Sequence, residues 1–365
     1  MLARWIAVLS VLVAAMLTGI PARAADCDCG NLGVLQVELR NALRLQAAFR
    51  GRIGELRQFG TDASQAELQR FAAMAAHANL ESDGTALREV EYVPYGQDVA
   101  EGRLDSLSSD QLCAMRASSA AALDAADRAA ACAGIGRALR AHEGVHVAMC
   151  RRIGYRAYLG MHGADRAAEE AEGYGTQIAV LRAEIVKVIE RLNPRIEVTS
   201  DVRMQGPPNP MYSAIVTNVQ AEVRMTRAVV VDTAGPVRFE GQGQQILNAR
   251  VEGNCRFTGG MPVTHPIRAG IETDGLEARI TYSLEGTTPA MAMQCRVPGG
   301  GSGASMSMPV PISGGLPEAI ILPLRTGVEQ VTDMAATPAA AMMAQARMRI
   351  SGEGRFRLVL DCPAR

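Results

Sequence analysis

The chain has 365 residues, with 37 basic against 38 acidic side chains and a formal net charge of −1. So even a balance argues against nucleic acid as the main partner, because that role demands a basic surface. The length favours two domains over a single core, and no stretch attains the roughly 18 apolar residues of a membrane-spanning helix.

In chain order, Arg4 precedes an apolar run from Trp5 to Ile20 and then Pro21-Ala22-Arg23-Ala24. A basic start, a short apolar segment and an A-x-A exit describe a cleavable signal peptide over residues 1–24. An exported protein, periplasmic or secreted, is expected. Losing Arg4 and Arg23 leaves 35 basic against 38 acidic residues in the mature chain. All 8 cysteines lie beyond that leader, and an even number in an exported chain implies disulfides. Cys113–Cys132 is the expected local bridge, with Cys150 reaching toward Cys27 or Cys29. Five cysteines precede residue 200 and three follow it, so full pairing needs a bridge between the halves, or two thiols stay free.

Leu32, Leu35, Leu39, Ala42, Phe49, Ile53 and Leu56 recur at helical spacing and predict one amphipathic helix. A second helix is expected over Ala66 to Ala78, followed by an irregular segment at 81–106. A third contains Ile135, Leu139, His142, His146, Met149, Cys150 and Ile153 on one stripe. Gly160 and Gly163 mark a break. The next helix starts near Asp165, aligns Ala171, Tyr174, Ile178, Leu181, Ile185, Val188 and Leu192 on one face, and stops at Asn193-Pro194.

His142-Glu143-Gly144-Val145-His146 reads H-E-x-x-H, and it uses two of only 5 histidines. Histidines four apart on a helix share a face and can bind one Zn²⁺. The intervening glutamate then points at the open coordination position, where it can take a proton from water. A catalytic zinc takes a third protein ligand. The extended form of the motif fails, because Met149 stands in place of its glycine and Arg152 in place of its third histidine. Residues 169–172 read Glu-Glu-Ala-Glu and supply the candidates. At 100° per residue, Glu170 lies about 40° from Tyr174, whereas Glu169 and Glu172 lie about 140° and 160° away, toward solvent. Glu170 is the expected ligand and Glu169 the second choice.

With His142, Glu143, His146 and Glu170, the stretch 130–190 resembles the gluzincin group of zinc metallopeptidases. The resemblance implies Zn²⁺ as cofactor, Glu143 as general base and a peptide or protein substrate. Tyr174 is one candidate donor to the transition state, along with Tyr155, Tyr158 and His162.

Beyond residue 193 apolar and polar residues alternate, as over Val219–Met225, Leu276–Leu284 and Phe356–Leu360. Period-two segments separated by glycine and proline turns predict an antiparallel β-sandwich. The expected architecture is therefore α+β and multidomain. A helical zincin-like domain over 25–193 is followed by a linker over 194–212 and a β-sandwich over 213–365. The sandwich would position substrate or contact an envelope or extracellular protein. The rival reading is a non-enzymatic envelope or adhesion protein, in which a degenerate or structural metal site leaves binding to the sandwich.

Overall fold

The computed structural model describes residues 25–59, 108–116, 131–159, 161, 163–207, 211–230, 236–258, 261–284, 290–296, 304–309, 319–345 and 347–361. The expected leader over 1–24, the helix over Ala66 to Ala78 and the irregular segment at 81–106 lie outside the described residues. The chain divides into two compact units between Glu184 and Ile185, earlier than the compositional change at Asn193-Pro194. The last turns of the helix spanning this point belong with the second unit, where Ile185, Val188, Ile189 and Leu192 are buried.

The first unit is helical. A 3-10 turn at Cys29–Asn31 opens it, capped by the Asp28 side chain on Gly30 N. It leads into α1 (Leu32–Phe59), whose Leu35, Leu39, Ala42 and Phe49 are buried as their spacing predicts. α2 (Ser109–Arg116) is short. α3 (Ala133–Ile153) carries the H-E-x-x-H segment and buries Ile135, Ala138, Leu139, His142 and Cys150. Ile153, expected on that stripe, is exposed instead. The helix ends at Gly154, whose φ of +86° suits glycine and whose N–H closes on Cys150 O at 2.8 Å. Arg151 and Arg152 in the last turn complement the helix dipole. α4 (Tyr155–Leu159) is five residues long. α5 (Gly163–Arg191) is the longest helix, and Asn193 in the left-handed region (φ 45°) follows its end, as the Asn-Pro signal implies.

Two disulfides staple α3 at opposite ends. Cys27–Cys132 holds its N-cap, and Cys113–Cys150 ties its last turns to α2. This corrects the expected Cys113–Cys132 pairing and the expected reach of Cys150 to Cys27 or Cys29. A straight 21-residue helix separates its ends by roughly 30 Å. Each end therefore takes the cysteine that packs beside it rather than the one nearest in sequence. A third bridge, Cys255–Cys295, lies in the second unit, and no described cysteine is a free thiol. Among the described residues no helix is long and apolar enough to cross a membrane.

The second unit overturns the expected sandwich and, with it, the expected plan of a zincin-like domain followed by a sandwich. It is built on one antiparallel sheet of eight strands, in the order β10-β11-β1-β2-β3-β5-β6-β9. These are β1 (Arg195–Gln205), β2 (Tyr212–Val230), β3 (Val237–Gly253), β5 (Val263–Thr273), β6 (Glu277–Leu284), β9 (Ala319–Pro323), β10 (Val328–Asp333) and β11 (Arg349–Val359). The remaining strands, β4 (Cys255–Phe257), β7 (Ala290–Cys295) and β8 (Ala304–Pro309), form a small separate sheet. A last helix, α6 (Pro338–Gln345), precedes β11.

The two ends of the large sheet, β9 and β10, are consecutive strands separated by 324–327, so the sheet curls into a nearly closed barrel. Its inner residues alternate as they would in a sandwich: Ile196, Val198, Val202 and Met204 on β1, Phe239 and Leu247 on β3, Phe356 and Leu358 on β11. Period two shows that one face is buried. It does not distinguish a second sheet from the same sheet returning on itself. The expected linker over 194–212 is also corrected, because β1 occupies 195–205 and pairs with both β2 and β11.

Candidate metal centre

The site lies wholly within the helical unit, between α3 and α5. His142 is buried and His146 nearly so, one turn apart on the inner face of α3. Their Nε2 atoms face each other at 3.1 Å. Glu170 on α5 completes the group, with one carboxylate oxygen 3.3 Å from His142 Nε2 and the other 3.7 Å from His146 Nε2. Two inward-facing ring nitrogens and a carboxylate at this separation call for a cation or a proton among them. Zinc bonds of roughly 2.0–2.1 Å in tetrahedral geometry put ligand atoms about 3.3 Å apart, close to the separations of the two ring nitrogens and of His142 from the nearer Glu170 oxygen. His142, His146 and Glu170 thus form a cluster able to hold a metal ion.

The expectation for Glu170 over Glu169 agrees with this cluster, but Glu169 does not point to solvent. It is 2% exposed, and its Oε1 lies 3.1 Å from Nδ1 of His146. Neither atom makes an aligned hydrogen bond. At 3.1 Å the two atoms are within hydrogen-bond distance, and alignment requires the ring to turn. Glu172 is exposed, as the helical angles imply. On the other side, Gln177 Oε1 sits 3.1 Å from Nδ1 of His142, and both residues are buried. Both histidines therefore have a polar partner behind them and turn Nε2 toward the centre.

Gly173 makes the close approach of α5 possible. A Cβ there would lie 3.0 Å from His142 Nε2 and 3.1 Å from Cε1. Gln46 of α1 donates to the Ala171 carbonyl at 3.1 Å beside it. Tyr174 packs its ring edge-on to His142, centroids 4.4 Å apart, and stacks on Phe49 at 5.8 Å. Gln177, Gly173 and the outer role of Glu169 are absent from the sequence reading. The pattern Glu-Gly-Tyr-Gly after the carboxylates was the available signal, since a glycine inside a long helix costs about 1 kcal/mol and needs a packing reason.

The charges respond to this packing. Burial works against a charged His146. The Glu169 contact and the charges of Glu170, Glu169 and Glu143 outweigh it and lift the imidazole to about 9 in the metal-free protein. Burial also favours a neutral Glu170, but His142, His146 and Arg166 hold its carboxyl below the ordinary value. Burial, reinforced by Glu170 and Glu143, pushes the Tyr174 phenol well up, so it stays a neutral O–H. Glu143 itself is half-buried on α3, and both His146 and Tyr174 feel its charge. Of the other expected donors, Tyr155 and Tyr158 are buried in a cluster with Cys113 and Cys150, and His162 lies outside the described residues.

Comparison with protein-family models gives no match, and neither do searches of curated proteins and of solved structures. The reading of the site therefore rests on its own geometry.

Proposed function

We propose that this protein is an exported zinc-dependent peptidase with Glu143 as its general base. The observation that supports this best is the cluster of His142, His146 and Glu170, whose ring Nε2 atoms lie 3.1 Å apart while one Glu170 oxygen is 3.3 Å from His142 and the other 3.7 Å from His146. Two imidazoles and one carboxylate suit zinc, whereas calcium and magnesium prefer oxygen alone. Bound zinc would act as a Lewis acid and bring the pKa of a water toward neutrality. Glu143, adjacent to His142, takes the proton from the attacking water and hands it to the leaving amine. Tyr174, neutral and beside His142, is the candidate O–H donor to the developing oxyanion. Glu170 is the least buried ligand, with a third of its side chain exposed, and marks the side from which a peptide approaches. The three disulfides among the described residues suit an oxidising compartment, in keeping with a leader over 1–24. The barrel would attach the enzyme to an envelope or extracellular partner.

Zinc content by elemental mass spectrometry, measured beside hydrolysis of a mixed fluorogenic peptide set, tests this reading. About one zinc per chain is expected in the wild type and in Glu143→Gln, and its loss in His146→Ala and Glu170→Ala. Hydrolysis should fall about 10²–10⁴-fold in Glu143→Gln. A reconstituted wild type without zinc overturns the proposal, and a zinc-loaded wild type no faster than Glu143→Gln indicates a metal-binding protein without catalysis.

A further inference from the structure

Glu169 and Gln177 touch neither of the inward-facing Nε2 atoms, yet each stands directly behind one of the two histidines. We infer that they are positioning residues with unequal tasks: Gln177 orients His142, while Glu169 both orients His146 and strengthens it as a metal donor. This rests on reading His142, His146 and Glu170 as a metal site.

A neutral imidazole carries one proton, and whichever nitrogen holds it cannot bind metal. Gln177 Oε1, 3.1 Å from His142 Nδ1, accepts that proton's hydrogen bond and leaves the Nε2 lone pair for the centre. Glu169 Oε1, 3.1 Å from His146 Nδ1 but without an aligned hydrogen bond, is placed to do the same for the second ring. The difference lies in charge. An amide oxygen is a dipole, whereas a carboxylate with 2% exposure is a full charge in a poorly screened place. It draws the Nδ1 proton toward itself and raises electron density on Nε2, which makes His146 the stronger donor.

The same carboxylate is an orphan when the ring is not aligned, since Glu169 Oε1 and His146 Nδ1 are both buried without a hydrogen bond. A buried, unsatisfied acid is costly. Metal held on Nε2 would fix the tautomer of the ring and favour alignment of this pair. The adjacent residues Glu169 and Glu170 thereby divide the labour, one behind the ring and one at the centre. A helix can do this because successive residues point about 100° apart.

The test measures zinc affinity by competition with a chromophoric chelator, and the visible spectrum of the Co²⁺-substituted protein, in full-length Glu169→Gln and Gln177→Glu. Glu169→Gln should still bind one metal with an unchanged Co²⁺ spectrum but about 10–100-fold more weakly. Gln177→Glu should bind about tenfold more tightly, because His142 gains the charge that His146 already has. If Glu169→Gln fails to fold, Gln177→Glu alone decides. Affinities within twofold of wild type in the folded variants overturn the inference, even where melting temperature moves. A changed Co²⁺ spectrum in Glu169→Gln would make Glu169 a direct ligand and overturn it as well. A wild type that takes up no zinc is a separate outcome, which removes the metal reading and this inference together.

Discussion

The helical unit and the barrel bury different kinds of polar group. Among the described residues the helical unit buries Glu38, Glu169, Glu184 and His142, along with Gln36, Asn41 and Gln177. The barrel unit buries only Ser200, Thr217, Gln245, Thr273 and Thr337. Gln245 is satisfied by the Tyr282 hydroxyl and Thr217 by the Val202 carbonyl, and the Ser200 hydroxyl, which has no partner among the described residues, is a neutral group. Buried carboxylates are costly unless something compensates them. Glu184 has its compensation in Arg137, whose guanidinium donates to it at 2.8 Å. Glu169 faces His146, a member of the candidate metal cluster. The costlier buried groups thus lie in the helical unit, which also holds the His142, His146 and Glu170 cluster.

Metal removal gives the sharpest test of that contrast. If the helical unit alone holds zinc, chelation should lower one of two calorimetric transitions and leave the barrel's in place. A site saturated a thousandfold above its dissociation constant stabilises by about 4 kcal/mol. Equal movement of both transitions would break the contrast. Disulfide removal follows closely. Replacing Cys113 and Cys150 by alanine opens a loop of sequence separation 37 and should cost about 4 kcal/mol, with weakened zinc binding. Removing Cys255 and Cys295, with a separation of 40, should cost the barrel about as much and leave zinc uptake unchanged.

Proton linkage is next in size. The metal-free His146 is raised to about 9 from an ordinary 6.5. A raised pKa stabilises the folded state below about pH 6.5, and the contribution disappears as pH climbs through 9. The unfolding free energy of the chelator-treated protein should therefore decline between those values by about 3 kcal/mol or slightly more. Apparent zinc affinity should rise over the same interval, because metal and proton compete for Nε2. A flat melting profile would show that His146 is already neutral.

The smallest effects separate two glycines of the site. Gly173→Ala places a methyl 3.0 Å from His142 Nε2 and should weaken zinc binding about tenfold, or about 1.4 kcal/mol. Gly144→Ala meets nothing within 4 Å and should stabilise α3 by about 1 kcal/mol with zinc unchanged. Chelator competition and thermal melting on the pair measure both.

How much of this was legible in the sequence depended on the type of signal. α3 and α5 are long, periodic and well punctuated, so His142, His146 and Glu170 could be brought together from angles alone. Those angles misplaced Glu169 because they assume one buried face. α5 has two, since Phe49 of α1 packs on Ala164, Ala167 and Ala171 while α3 brings its histidines to Glu169 and Glu170. In the second unit the alternation over Val219–Met225, Leu276–Leu284 and Phe356–Leu360 coincides with a buried face, which includes Val219, Val223, Ile280 and Phe356. Whether those faces meet another sheet or their own is decided by strand order, which alternation does not encode. The disulfides were beyond spacing for a similar reason, since Cys27 and Cys132 are neighbours in space at a sequence separation of 105.

The start of α3 has a practical consequence for handling the protein. Its first two amides are not capped by their own neighbours. Ala133 N–H donates to the carbonyl of Ala25 at 2.8 Å, and Gly134 N–H to Cys27 Sγ at 3.2 Å. Asp26 between them lies 3.6 Å from Arg137. Residues 25–27 therefore serve as the missing first turn of a helix encoded more than a hundred positions later. A purification tag fused close to Ala25, or a trimmed start, would edit the end of the histidine-bearing helix itself, so affinity handles belong elsewhere on this chain.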